Sequence, residues 1–162
     1  MKSKRVAELG LLIALAFVLG YLESLIPFNI GIPGAKLGLA NIVTLIAIVR
    51  LGSKDALAVA VARAVLSGLT FGSMYSMLYS LAGGVLSTIV MCFLNRTKRF
   101  GMIGVSVTGG VTHNIGQLLV AMFVLKSIDL KYYSGFLIIC GILTGVLTGI
   151  ICITVMKNIR TY

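Results

Sequence analysis

The chain has 162 residues, of which 59% are hydrophobic and only 11% are charged, and its mean hydropathy is +1.09. A water-soluble domain of this length needs more polar surface to cover its core, so the composition excludes one and predicts an integral membrane protein. The net charge is +10, and the basic residues lie at the ends of apolar runs. This distribution argues against nucleic-acid binding and favours contact with the lipid bilayer and its headgroups.

Six apolar segments follow one another along the chain. We predict an all-α integral membrane bundle of about six transmembrane helices, forming a single domain over residues 1–162. The predicted spans are about 6–26, 37–50, 55–72, 74–94, 101–125 and 132–156. Residues 27–36 contain two prolines and two glycines, and we predict that they form a re-entrant stretch acting as the wall or lid of a site.

The basic residues predict the orientation of these spans. With a cytoplasmic N-terminus and six spans, ten basic residues lie inside and three outside, which satisfies the positive-inside rule. The ten inside are Lys2, Lys4, Arg5, Arg50, Lys54, Arg96, Lys98, Arg99, Lys157 and Arg160. The three outside are Lys36, Lys126 and Lys131, and Arg63 lies within a span. We therefore predict that both termini are cytoplasmic.

Small residues at four-residue spacing favour close packing of two helices. The sixth segment has Gly141, Gly145 and Gly149, for which packing within the chain is the favoured prediction. In the first segment the residues with this spacing are Gly10, Ala14, Ala16 and Gly20. For these four, packing inside the chain and contact with another protein are both open.

Polar and ionisable side chains are costly within a membrane, so each one is a candidate functional group. They are Glu23, Lys36, Asn41, Arg63, His113, Asn114 and Gln117. His113 and Gln117 are four residues apart and share a helix face, as do Asn114 and Gln117. The fifth segment therefore concentrates hydrogen-bonding groups on one side.

We predict that these groups form a polar pocket that opens outward and binds an anionic or strongly hydrogen-bonding small molecule. Lys36 and Arg63 would supply positive charge, and Asn41 would lie one turn into the second segment. The alternative is a structural network in which Arg63 pairs with Glu23 and residues 113–117 join helices. Both interpretations stay open at the level of sequence.

The sequence does not favour catalysis. Its four acids, Glu8, Glu23, Asp55 and Asp129, are far apart, whereas magnesium-dependent chemistry on diphosphates normally needs clustered carboxylates. The chain has no HExxH or CxxC motif and no Walker-type phosphate loop. We therefore expect no catalytic residue, no metal ion and no cofactor, and any ATP hydrolysis must come from another protein.

Two motifs give the chain a family resemblance. The first is Pro33-Gly34-Ala35-Lys36-Leu37-Gly38-Leu39-Ala40-Asn41 followed by Thr44-Leu45, and the second is Gly109-Gly110 with His113-Asn114-x-Gly116-Gln117. On these motifs the chain resembles the Gx transporter family, which is labelled heptaprenyl diphosphate synthase component I. That family is similar to the S components of energy-coupling factor (ECF) transporters, which are six-helix membrane proteins with both termini inside.

The resemblance implies a substrate-binding S component in the bacterial cytoplasmic membrane, with the loop after the first helix as a lid. Its small, anionic or vitamin-like substrate, for which a flavin is one candidate, would contact Lys36, Asn41, Arg63, His113, Asn114 and Gln117. Gly10, Ala14, Ala16 and Gly20 would contact a coupling membrane protein that works with cytoplasmic ATPases. The family label implies an alternative, a non-catalytic membrane accessory subunit of heptaprenyl diphosphate synthase. A stand-alone facilitator or lipid-organising protein is a third option.

Overall fold

The computed structural model describes residues 2–25 and 38–159. Its helices are α1 (Lys2–Ser24), α2 (Asn41–Arg50), α3 (Ser53–Thr70), α4 (Met74–Thr97), α5 (Met102–Leu125) and α6 (Ser134–Ile159), and a short 3₁₀ helix (Ile128–Tyr133) precedes α6. The described residues contain no strand, which confirms the predicted all-α fold. The predicted re-entrant stretch 27–36, including Lys36, and Arg160 lie outside the described residues.

Four helical stretches are long and apolar enough to cross a membrane, namely Ser3–Ser24, Met74–Thr97, Met102–Leu125 and Ile128–Asn158. α3 has 18 residues but carries Lys54, Asp55 and Arg63, and α2 has only 10 residues. At 1.5 Å per residue, α2 covers roughly 15 Å, about half of the hydrocarbon layer. The second helix begins at Asn41 rather than at residue 37, because Gly38 has a φ of 85° and the next two residues form a turn.

α2 is the central helix of the bundle. It contacts all five other helices, which follow one another around it in the order α1, α3, α4, α5 and α6. Its buried residues are Asn41, Val43, Thr44, Leu45, Ile46, Ala47 and Ile48. Within the described residues α1 and α6 do not contact each other, so the ring of helices is open beside α2.

Local sequence signals set the ends of these helices. Only Leu51 and Gly52 separate α2 from α3, and Gly52 has a φ of 97° and donates its N–H to the carbonyl of Ala47 at 3.0 Å. Such a glycine at positive φ is a common way to end a helix. α4 begins after Ser73, whose hydroxyl accepts a hydrogen bond from the Ser76 N–H at 3.1 Å.

The alternating helix directions put most of the described basic side chains at one end of the bundle, which we call the basic end. These side chains are Lys4, Arg5, Arg50, Lys54, Arg96, Lys98, Arg99 and Lys157. Two ion pairs join α1 to its neighbours there: Arg5 pairs with Asp55 of α3 at 2.6 Å, and Glu8 pairs with Arg50 of α2 at 2.5 Å. Lys126 and Lys131 lie at the opposite end, which we call the far end. The prediction that both termini are cytoplasmic depends on this grouping of basic residues.

Glycines bring α5 and α6 into backbone contact. A Cβ atom on Gly141 would lie 2.9 Å from the carbonyl oxygen of Gly110, and one on Gly145 would lie 2.5 Å from Cα of Val107. Gly149 continues the same contact toward the basic end. The glycine stripe of the sixth segment therefore packs within the chain, as predicted, and lets two backbones approach where lipid provides no hydrophobic force between helices.

The interior of the bundle has apolar and polar parts. The larger apolar cluster surrounds α2 and includes Leu12, Ala16, Val43, Leu45, Ile46, Ala47, Ile48, Ala56, Val59, Met91, Cys92, Val105 and Cys152. A smaller one, near the far end, contains Tyr79, Leu118, Ala121, Leu130 and Leu137. The first turn of α2, at Asn41 and Thr44, introduces polar groups where the larger cluster ends.

Candidate functional site

Polar side chains from five helices are buried together around the first turn of α2, and we call this group the polar centre. Its members are Glu23, Asn41, Thr44, Arg63, Ser67, Ser80, His113, Asn114 and Gln117, none of them more than 7% exposed. Buried polar groups destabilise a membrane protein unless they are hydrogen-bonded or paired. The hydrogen-bond and ion-pair partners of each group therefore indicate the role of that group in the polar centre.

Gly38 brings α1, α2 and α5 together. Its backbone N–H donates a hydrogen bond to Oε1 of Glu23 at 2.5 Å. A Cβ atom on Gly38 would lie 2.9 Å from Nδ2 of Asn41 and 3.4 Å from Cδ2 of His113. The positive φ of Gly38 also disfavours residues with a side chain. Glu23, Asn41 and His113 thus meet around a single glycine.

Arg63 places a cation in the interior. It is 2% exposed, and its guanidinium faces α4, where a Cβ on Gly84 would lie 3.6 Å from Nη2. Arg63 interacts electrostatically with Glu23. Its Nε and Nη2 atoms nevertheless make no hydrogen bond within the part of the chain that the structure describes. The guanidinium therefore has unused donor groups beside the polar centre.

The polar residues of α5 divide between two tasks. Nε2 of Gln117 and Nε2 of His113 are hydrogen-bonded at 2.9 Å, so these residues share a face as predicted. With the amide nitrogen as donor, the neutral imidazole accepts through Nε2 and carries its proton on Nδ1. Asn114 points instead toward α6, where its Nδ2 donates to the carbonyl of Leu137 at 2.7 Å. Asn114 therefore joins α5 to α6, as does the hydrogen bond between Oγ of Ser106 and Oγ1 of Thr148 at 2.5 Å.

Glycines of α4 form one wall of the polar centre. A Cβ on Gly83 would lie 2.6 Å from the carbonyl oxygen of His113 and 3.0 Å from Cγ of Gln117. On the other side of this contact, a Cβ on Gly116 would lie 2.9 Å from Cα of Gly83. α4 and α5 are therefore in backbone contact at the level of His113.

Three buried hydroxyl groups of the polar centre were not among the sequence-based candidates. Oγ1 of Thr44 and the Oγ atoms of Ser67 and Ser80 have no hydrogen-bond partner in the described residues. Serine and threonine in helices usually bond to their own backbone, as Thr88 does to the carbonyl of Gly84 at 2.6 Å. The presence of serine or threonine in a predicted span therefore did not indicate a site, whereas the neighbouring glycines 83 and 84 could have indicated one.

The four small residues of α1 divide between interior and surface. Ala16 is fully buried, and Gly20 packs on α3, where its Cβ would lie 3.3 Å from Oγ of Ser67. Gly10 and Ala14 face outward. Of the proposed partner-coupling residues, these two are the ones available to another protein.

A cavity of about 530 Å³ opens between α1 and α6, beside the exposed small residues of α1. Its walls include Leu11 and Leu15 of α1, Ile46 of α2 and Val155 of α6. It lies where the ring of helices is open, so part of α2 is reachable from the membrane. The cleft is apolar, and the Arg50–Glu8 ion pair borders it.

The described residues contain no group of three or more His, Cys, Asp or Glu side chains able to hold a metal ion. The structure buries Asn41, Arg63, His113, Asn114 and Gln117, and it brings Asn41, His113 and Gln117 together, whereas Asn114 faces α6 and Lys36 lies outside the described residues. Their role in binding a substrate stays a prediction.

A family model described as heptaprenyl diphosphate synthase component I matches residues 12–155, which include every member of the polar centre. The chain belongs to this family. Membership in the heptaprenyl diphosphate synthase component I family confirms the resemblance inferred from the two motifs. No curated protein and no solved structure matches the chain significantly, so the likeness to ECF S components stays a prediction.

The name of the heptaprenyl diphosphate synthase component I family describes part of a synthase and implies at least one further component. This agrees with the expectation that the chain is not itself an enzyme. The four long apolar helices make it a membrane protein in contact with lipid.

Proposed function

We propose that the chain is the substrate-binding membrane subunit of an ECF-type transporter and holds a small anionic molecule in the polar centre. The observation that carries this proposal is the buried guanidinium of Arg63, whose Nε and Nη2 atoms lack hydrogen-bond partners in the described residues. Hydrogen-bond donors left without partners inside a membrane bundle are unfavourable, so a bound anion would relieve a cost that the fold otherwise carries.

The chemistry of Arg63 favours a carboxylate or phosphate group on the ligand. A guanidinium presents its N–H groups in a planar fork that matches two oxygen atoms of such an anion. Glu23 supplies one negative charge nearby, and the Gly38 amide already donates to it. Lys36, predicted to face the same region from the lid, would balance a second negative charge.

Neutral groups of the polar centre would bind the remainder of the ligand. Oγ1 of Thr44, Oγ of Ser80 and Oδ1 of Asn114 are buried without hydrogen-bond partners in the described part of the chain. The alternative, a purely structural network, does not account for the Arg63 donor groups and the hydroxyls of Thr44 and Ser80 that lack partners in the described residues. Asn114 does have a structural role, since it also joins α5 to α6.

The exposed surface of α1 supports a coupling role. Gly10 and Ala14 face outward next to the cleft between α1 and α6, where a helix of another membrane protein has room to approach closely. The sequence has no ATP-binding motif of its own. We propose that a coupling membrane protein docks here and transmits the work of cytoplasmic ATPases.

The decisive experiment compares small molecules retained by the purified protein, identified by mass spectrometry. Arg63→Met should lower the amount retained at least tenfold, because the anion loses its cationic partner. Arg99→Met, at an exposed position of the basic end, removes the same charge and should leave retention unchanged. Thermal unfolding checks that Arg63→Met is folded; we expect it to be less stable than the unsubstituted protein, because Glu23 loses this cationic neighbour. Equal retention by a well-folded Arg63→Met protein would exclude the site.

A second candidate function is a non-catalytic membrane accessory subunit of heptaprenyl diphosphate synthase, and the family name favours it. Affinity purification separates the two candidates. Recovery of ATPases with a coupling membrane protein supports transport, whereas recovery of a soluble, Asp-rich prenyltransferase supports the accessory role. Gly10→Leu combined with Ala14→Leu should reduce recovery of the coupling protein, and Gly135→Leu, on the open surface at the far end, should not.

A further inference from the structure

A groove runs between α3 and α4 at the basic end, with a cavity volume of about 350 Å³. Leu57, Ile89 and Phe93 form apolar walls, and Lys54 and Arg96 stand at its mouth. Ile89 and Phe93 are 55% and 67% exposed, so the groove opens sideways to the surrounding membrane. Its surface changes from cationic at the end of the bundle to apolar toward the middle.

The depth of the groove matches the outer part of a lipid molecule. The separation of seven positions between Ile89 and Arg96 corresponds to roughly 10 Å along α4. A headgroup at the level of Arg96 would therefore place the upper part of an acyl chain against Phe93 and Ile89. Cys92 and Thr88 line the inner wall, and the Thr88 hydroxyl is already bonded to the Gly84 carbonyl.

The two cations at the mouth have no anionic partner in the described part of the chain. Arg96 donates a hydrogen bond from Nη2 to Oγ of Ser53 at 3.4 Å, which leaves its charge uncompensated. The two acids of the basic end are both engaged elsewhere, Glu8 with Arg50 and Asp55 with Arg5. Within residues 2–25 and 38–159, no acid of the basic end is left to neutralise Lys54 and Arg96.

We propose that this groove binds one anionic glycerophospholipid. Its phosphate lies between Lys54 and Arg96, and one acyl chain covers Leu57, Ile89 and Phe93. A zwitterionic phospholipid fits the apolar walls equally well, but the positively charged part of its headgroup would lie near the like charges of Lys54 and Arg96. A free inorganic anion could use the cations but would leave the apolar walls uncovered. The combination of charge and apolar surface therefore favours an anionic lipid, and this site is independent of the polar centre.

The absence of tryptophan from the sequence allows a direct test. Phe93→Trp places a single fluorophore in the groove, and bilayers of phosphatidylcholine are prepared with brominated phosphatidylglycerol or with brominated phosphatidylcholine as quencher. From the quenching, the association constant for phosphatidylglycerol should be about fivefold larger than that for phosphatidylcholine. Phe136→Trp, on the exposed surface of α6, should show no such preference.

Two double variants on the Phe93→Trp background separate a site from a diffuse positive field. Lys54→Gln with Arg96→Gln should abolish the preference, whereas Lys98→Gln with Arg99→Gln removes the same charge beside the groove and should retain it. Equal quenching by both lipids, or equal loss in both double variants, would overturn the proposal. Reversal of the preference by millimolar inorganic phosphate would also overturn it, because the site would then bind free anions. A thermal melt checks that each variant is folded.

Discussion

Gly83 of α4 lies against both the backbone and the ring of His113 in α5. A Cβ atom on Gly83 would lie 2.6 Å from the carbonyl oxygen of His113 and 3.0 Å from its Nδ1. Its neighbour Gly84 has ordinary space, with Nη2 of Arg63 3.6 Å from the position of a Cβ. Two adjacent glycines of one helix therefore experience different degrees of crowding.

We predict that Gly83→Ala separates α4 from α5 and destabilises the protein by about 1–3 kcal/mol, the usual cost of overpacking. Gly84→Ala is the matched control and should not lower stability, because it adds a methyl group at normal contact distance. Thermal unfolding in detergent measures both. Equal stability of the two variants would contradict the backbone contact at His113.

The contact between α5 and α6 gives a second prediction. Gly145→Ala should lower the midpoint of thermal unfolding, since its Cβ would lie 2.5 Å from Cα of Val107. The expected cost is about 1–3 kcal/mol, because backbone atoms cannot move aside as a flexible side chain can. Gly135→Ala lies in open space at the start of the same helix and serves as the control. A normal midpoint for Gly145→Ala would show that the helices are farther apart.

The interhelical hydrogen bond from Asn114 to the Leu137 carbonyl is expected to stabilise the bundle modestly. Asn114→Ala should lower the free energy of unfolding by about 1 kcal/mol, in the range measured for such bonds in membrane proteins. Thr112→Val removes a side-chain hydrogen bond within one helix and should cost less. Unfolding in mixed micelles compares them. An equal or larger loss for Thr112→Val would contradict the bond between Asn114 and α6.

The predicted orientation can be tested by thiol labelling of intact cells. Cys92, Cys140 and Cys152 are first replaced by alanine, and one cysteine is then introduced at Lys98 of the basic end or at Ile128 of the far end. A membrane-impermeant maleimide should label Ile128→Cys directly, and Lys98→Cys only after permeabilisation. The opposite result would reverse the orientation and place the polar centre nearer the cytoplasm.

Helix positions were predictable where a long apolar run ends at charged or turn-forming residues. The fourth and fifth segments, predicted at 74–94 and 101–125, are α4 and α5 with boundaries shifted by at most three residues. The second segment was less predictable, because residues 37–40 continue the apolar run. There the positive φ of Gly38 delays the helix to Asn41, and hydropathy carries no information about such a local conformation.

The polar residues of the candidate site could be identified from the sequence, but the contacts between them could not. Polar side chains in spans are rare enough to identify Asn41, Arg63 and His113 from sequence. Their neighbours along the chain do not reveal that Gly38 fills the space between Asn41 and His113. Nor does the sequence distinguish the inward-facing Ala16 from the outward-facing Ala14, since both belong to equally good small-residue pairs.

The sequence by itself determined that this is an all-helical membrane protein, because the free energy of transfer into lipid depends mainly on local composition. The tertiary structure alone decided which side of each helix faces inward, how α2 comes to lie at the centre, and that Arg63 approaches Gly84 and Glu23. The physical reason is that an apolar side chain is about equally stable against lipid and against another helix. Close packing and polar pairing, which depend on residues distant in sequence, therefore make the choice.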